Sequence, residues 1–211
     1  MENTKPCLTP AVIGKPLTAE DGEPLRNPSP YRRIIGALQY LTNTRPDIAF
    51  IVNRLSQFLQ SPTTSHWLGA KRVLCYLKGT RDMGLHINFC DKLDLQSFTD
   101  AYYACCLDNR RSIAGYCVYL GDILVSWSSK KQNVVSRSSA ESEYRALAQV
   151  ACELFWIESL LKEISFPLLT TPVTWCDNLS ACALAANPVL HAITKHIEVD
   201  VHFVRDRVLA K

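Results

Sequence analysis

Ile113-Ala114-Gly115-Tyr116-Cys117-Val118-Tyr119-Leu120, then Gly121-Asp122, then Ile123-Leu124-Val125-Ser126-Trp127-Ser128-Ser129, is the stretch that decides the fold. Two apolar, β-branched and aromatic runs flank a two-residue loop whose twist suits paired strands, so residues 113–129 read as a hairpin. Just upstream, Leu95 to Tyr103 has the same strand character. Downstream the period changes. Ser138 and Glu141 have capping-box spacing, and Tyr144, Leu147, Ala151, Leu154, Leu161 and Ile164 follow on one broad helical face until Pro167. Val173 to Cys176 is a fourth strand, Leu179 to Ala186 a short helix stopped by Asn187-Pro188, and Thr194 to Leu209 a last helix striped by Ile197, Val201, Val204 and Val208. The order βββαβαα predicts an α/β class, a mixed sheet flanked by helices.

Working towards the N-terminus, residues 31–80 carry three helical stripes: Ile34, Ile35, Leu38 and Leu41; Ile48, Ile51, Val52 and Leu55; and Trp67, Ala70, Val73, Leu74 and Leu77. Pro46 and Pro62 divide them, and Gly79 suits the end of the third. Residues 1–30 hold six prolines and the turn-like Asp21-Gly22, with no hydrophobic period. The expected organisation is an irregular arm over 1–30, a helical segment over 31–90 and an α/β domain over 91–211. A chain of 211 residues, 47% hydrophobic and 20% charged, can bury one full core and a smaller helical appendage. Its nine cysteines are scattered, without a C-x-x-C pair, which argues against a zinc site and a disulfide framework. The polar start and the lack of a long apolar run predict no membrane association and an intracellular setting, cytoplasmic or nuclear. A net charge of +3 tolerates a polyanionic partner without revealing one.

Four carboxylates stand at telling places: Asp100 on the first strand of the α/β part, Glu143 in the long helix, Asp177 at the end of the fourth strand and Asp200 in the last helix. Phosphodiester hydrolysis with two divalent ions needs such a set, and oxygen donors favour Mg2+, with Mn2+ as a substitute. Glu141 and Glu143 are separated by about 200° around a helix. Glu141 serves the capping box, so Glu143 is the better ligand.

Six stretches in order carry a family resemblance: Phe98-Thr99-Asp100-Ala101; Arg110 to Tyr116; Ser126 to Gln132; Ser136 to Ala146; Cys176-Asp177-Asn178; and Thr194 to Asp200. They resemble the signature blocks of ribonuclease H from copia-type LTR retrotransposon Pol polyproteins. Upstream, Tyr40 to Ile48 and Leu77-Lys78-Gly79-Thr80 are similar to the end of the reverse transcriptase of such an element. The resemblance implies a ribonuclease H-like domain after a reverse transcriptase remnant. It also implies a catalytic, metal-holding set of Asp100, Glu143, Asp177 and Asp200, two Mg2+ ions, and hydrolysis of RNA in RNA–DNA hybrids to a 3′-hydroxyl and a 5′-phosphate. His191 is the candidate proton shuttle. The polymerase's own metal motif would lie before Met1, so no polymerase activity is expected, and the upstream reverse transcriptase portion is an implied partner. One departure is Cys105, where the family commonly has glycine, a change that could disturb the first strand.

Hybrid binding draws on basic, hydroxyl and amide groups. Arg110, Arg111, Ser112, Lys130, Lys131, Asn133, Arg137, Ser138 and Asn178 are the candidates, against the plain reading of each as a solvated or capping residue. Trp127, Trp156 and Trp175 read as packing residues, and Asp177-Asn178 can also be read as a helix cap. Zinc on His196 and Asp200, or on Glu198 and His202, lacks a third ligand, and a serine hydrolase lacks the G-x-S-x-G elbow. The alternative to an endonuclease is a catalytically inactive or domesticated retroelement remnant that binds nucleic acid or a protein partner.

Overall fold

The computed structural model describes residues 4–12, 14, 17–90, 92–166, 168–186 and 198–209. They form two compact units, one of residues 1–85 with Cys106–Asp108, the other of the remaining chain.

The first unit is helical: α1 (Ser29–Leu41), a 3-10 turn (Pro46–Ile48), α2 (Ala49–Ser56) and α3 (Thr64–Gly79). Helix α1 starts two residues before the expected Tyr31, because Pro30 fits a first helical turn whose N–H groups have no partners. Tyr31, Ile35, Ile48, Val52, Leu55 and Val73 are fully buried in one core, each burial worth about 1.5–3 kcal/mol. The Tyr31 hydroxyl donates to the Leu55 carbonyl at 2.7 Å, so its burial leaves no polar orphan. Buried Arg45 ties together the two stretches that resemble a reverse transcriptase end. It donates to both Asp47 oxygens at 2.9 and 2.7 Å and to the Thr80 carbonyl at 2.8 Å, while the Tyr76 hydroxyl donates to Asp47. Gly79 is the last helical residue rather than a left-handed terminator; a Cβ there would lie 2.8 Å from Pro6 Cβ.

Thr63 caps α3, and the usual Glu or Gln of a capping box is replaced by His66. The ring is fully buried and stacked on Phe58 with centroids 3.9 Å apart. Its Nδ1 accepts from the Thr63 N–H and its Nε2–H donates to the Thr18 carbonyl, both at 3.0 Å. This pattern requires the neutral ring.

The second unit is α/β, with strands β1 (Leu95–Tyr102), β2 (Ile113–Leu120), β3 (Ile123–Lys131) and β4 (Val173–Cys176), and helices α4 (Ser139–Glu163), α5 (Leu179–Ala186) and α6 (Glu198–Leu209). The sheet order is β3-β2-β1-β4; β1 runs antiparallel to β2 and parallel to β4, so the sheet is mixed. Gly121 turns the β2–β3 hairpin at φ +59°, a left-handed conformation that glycine adopts without a Cβ clash. Leu95, Val118, Tyr144, Val150, Leu154, Ala181, Val201 and Val204 share one core, which places the described helices on a single face. No described element covers the other face, where Phe98 and Trp175, paired across β1 and β4, are 48% and 56% exposed.

Three expectations are corrected here. Trp175 on that open face and Trp156 on the outer side of α4, 58% exposed, are not packing residues, because nothing described covers them. Helix α4 ends at Glu163, before Pro167, with Ser165 at φ +62°. The Ser165 and Phe166 N–H groups donate to Lys162 and Leu161, a Schellman closure built without glycine. Cys105 does not disturb β1, whose pairing with β2 runs unbroken from Leu95↔Leu120 to Tyr102↔Ile113. Residues 194–197 of the expected last helix lie outside the described residues.

The His66 capping box yields a pH prediction. Burial lowers the His66 pKa below its ordinary 6.5, against smaller opposing contributions from the Thr18 bond, Asp21 and Asp108. A histidine whose folded pKa is depressed supports the fold above its unfolded pKa and withdraws that support as pH falls. Thermal unfolding of the native chain is expected to lose stability between about pH 7 and 5, and His66→Gln, which keeps a side chain suited to the box, to flatten that step. An identical pH profile in the variant contradicts the assignment.

Candidate metal centre

Parallel pairing of β1 with β4 ends at Thr99↔Cys176. One residue further along each strand stand Asp100 and Asp177, so adjacent strands deliver two carboxylates to one end of the sheet. Helix α4 supplies the third. Its N-cap Ser138 accepts from the Glu141 N–H at 3.1 Å, and Glu141 reaches back to the Arg137 N–H at 2.8 Å, one residue beyond the usual reciprocal bond. Two residues on, Glu143 turns inward with 6% exposure, and its Oε1 accepts the Ala101 N–H at 3.2 Å.

The electrostatics follow from this placement. Burial pushes the Glu143 pKa up to about 7; the Ala101 N–H opposes this, and the charges of Asp100 and Asp177 add to it. Oε2 is buried without a hydrogen-bond donor among the described residues. Asp100 beside it can serve Oε2 only if one of the two carboxyls carries a proton. A buried acceptor facing two further acids, with no cation in contact among the described residues, suits a divalent ion with oxygen ligands. Cys176 joins the group, for ligand atoms of Glu143, Cys176 and Asp177 all lie within 4.8 Å of one another. Sequence reasoning missed Cys176; its place immediately before Asp177 was the available signal.

Asp200 is placed differently. Its carboxylate lies 3.6 Å from the Arg145 guanidinium, which also holds Glu141 at 3.0 Å. Burial raises the Asp200 pKa and Arg145 opposes the rise. Among the described residues Asp200 therefore has a cation partner, and the structure does not bring it into the Glu143–Asp177 group. His191 lies outside the described residues.

The proposed nucleic-acid contacts divide by burial. Arg110, Lys130, Asn133 and Arg137 are exposed, and Arg111 and Lys131 half-exposed. Sheet register places the start of β2 and the end of β3 beside Tyr102, at the same end as Asp100. Ser112 is fully buried and its hydroxyl accepts the Ala104 N–H at 3.0 Å, so it holds the β1–β2 turn. Ser138 is the α4 cap, and Asn178 is the α5 cap, its Oδ1 accepting the Ala181 N–H at 3.0 Å. Capping thus falls to Asn178 and leaves Asp177 exposed. Gln132 is a positioning residue that the sequence did not single out. Its backbone N–H bonds Ser112, and its side chain donates to the Ser142 carbonyl at 2.8 Å and accepts from Ser136 at 3.0 Å, fixing the β3 end against the α4 start.

No family model and no solved structure matches the chain. The retrovirus-related Pol polyproteins from transposons RE2 and RE1 of Arabidopsis thaliana are 48% and 47% identical to it over 208 residues, 99% of this chain. The corresponding polyprotein from transposon TNT 1-94 of Nicotiana tabacum is 36% identical over 215 residues, again 99% of this chain. The chain spans only 14–16% of the length of these relatives. Near-complete coverage at almost half identity, together with the ordered motifs, shows that the chain belongs to the copia-type retrotransposon Pol polyproteins.

Proposed function

We propose that the second unit is a ribonuclease H-like domain that hydrolyses RNA paired to DNA, working in a longer polyprotein beside an upstream reverse transcriptase portion. The observation that carries this reading is the convergence of Asp100, Glu143 and Asp177, with a buried Glu143 oxygen that has no donor among the described residues. These three side chains would hold Mg2+, or Mn2+ in its place. Bound there, divalent ions supply charge stabilisation and activation of water for phosphodiester hydrolysis.

The chain's own groups have separable tasks. Glu143, fixed by the Ala101 N–H, keeps one oxygen turned to the site, while exposed Asp177 is free to adjust. Arg110, Arg111, Lys130, Lys131 and Arg137 offer positive charge at that end of the sheet, suited to phosphates flanking the scissile bond. Asp200 would have to leave Arg145 to act as a fourth ligand. That pairing is the specific point in favour of the second reading, an inactive remnant that retains nucleic-acid binding.

Two experiments test the proposal. Asp177→Asn keeps size and removes one charge; with purified chain, labelled hybrid and Mg2+, cleavage is expected to fall by more than about 100-fold while hybrid binding persists and stabilisation by Mg2+ shrinks. Near-native turnover in that variant excludes the site. Separately, Arg111→Ala is expected to weaken hybrid affinity and reduce the slope of log K against log salt by about 0.7–0.9. An unchanged slope with unchanged affinity makes Arg111 a solvated charge only.

A further inference from the structure

We propose that Glu143, Cys176 and Asp177 form a mixed oxygen–sulfur site that takes a thiophilic divalent cation, Zn2+ or Cd2+, in preference to Mg2+. Strand parity puts the thiol there. Along β4, Val173 and Trp175 face outward, whereas Thr174 and Cys176 face α4, and Cys176 packs against the core beneath that helix. The thiol therefore approaches from below the carboxylates, with its ligand atom and theirs within 4.8 Å of one another.

The sign of a missing ligand is Glu143 Oε2, buried and without a hydrogen-bond partner among the described residues, on a residue more than nine-tenths buried. A tetrahedral Zn2+ with ligands at about 2.0–2.3 Å needs donor atoms roughly 3.5 Å apart. The exposed Asp177 side chain supplies most of the required closure. Three protein ligands leave a position for water or a phosphate oxygen.

Donor chemistry sets the preference. Mg2+ takes carboxylate, carbonyl and water oxygens and gains nothing from sulfur, whereas Zn2+ and Cd2+ bind thiolate strongly. A soft ion seated on Glu143 and Asp177 withdraws two ligands from the proposed hydrolytic centre, so Zn2+ inhibits it. That consequence rests on the proposed ribonuclease reading, but the metal site itself does not.

The test uses the full, reduced chain titrated with Cd2+, read by sulfur-to-cadmium charge-transfer absorbance and by calorimetry. The expected result is a one-equivalent site whose band disappears in Cys176→Ser and whose affinity falls at least tenfold there. In Asp177→Asn the band is retained while affinity falls. A band of equal amplitude and affinity in Cys176→Ser overturns the proposal, because the remaining cysteines would then be the ligands. In a second arm, Zn2+ inhibition of hybrid cleavage is scaled to each variant's own Mg2+ rate. The inhibitory concentration rises at least tenfold in Cys176→Ser. If no variant cleaves hybrid, the ribonuclease reading fails while the Cd2+ arm still decides the site. Mg2+-dependent cleavage by a wild-type chain that shows no cadmium band overturns the mixed site alone.

Discussion

The parallel pairing of β1 with β4 is the constraint on which the candidate site depends. Parallel neighbours end side by side, so Asp100 and Asp177, distant in sequence, are brought to adjacent strand ends. The fold then places Glu143 over the same point, where burial and the charges of the two neighbouring acids push its pKa up to about 7. Such an arrangement opposes stability in the metal-free protein, which is the physical reason to propose a functional site there.

Around this unfavourable centre the supporting structure is well satisfied. The Ala101 N–H fixes Glu143, the buried Ser112 hydroxyl closes the β1–β2 turn, and Gln132 joins β3 to the start of α4. Ser138 and Asn178 cap the two helices that flank the site. Four of the candidate catalytic or nucleic-acid contacts also have structural partners among the described residues. Ser112, Ser138 and Asn178 hold backbone, and Asp200 pairs with Arg145.

Features set by local pattern were legible in the sequence. The β2–β3 hairpin follows from its alternating apolar residues and Gly121; β4 and α5 from their bounding turns; and the inward turn of Glu143 from the 200° separating it from Glu141. What depended on tertiary placement was not legible. Ser165 ends α4 through a left-handed conformation that favours glycine, so no residue signalled the stop. Trp156 and Trp175 look like core residues and are exposed, because hydrophobicity does not reveal which sheet or helix face remains uncovered. His66 in a capping box, the Arg45 clasp and the Cys176 thiol each required knowledge of what lies across from them.

The central claim is that Glu143 shares a divalent-ion site with Asp100 and Asp177. The most direct measurement is the titration of the Glu143 carboxyl by carbon-13 NMR, with the signal assigned through Glu143→Gln, in the absence and presence of Mg2+. Without metal the account predicts a midpoint near 7, coupled to neighbouring acids, and with Mg2+ a midpoint displaced below the ordinary glutamate value of about 4.3. A midpoint close to that ordinary value that Mg2+ leaves unmoved would contradict the account.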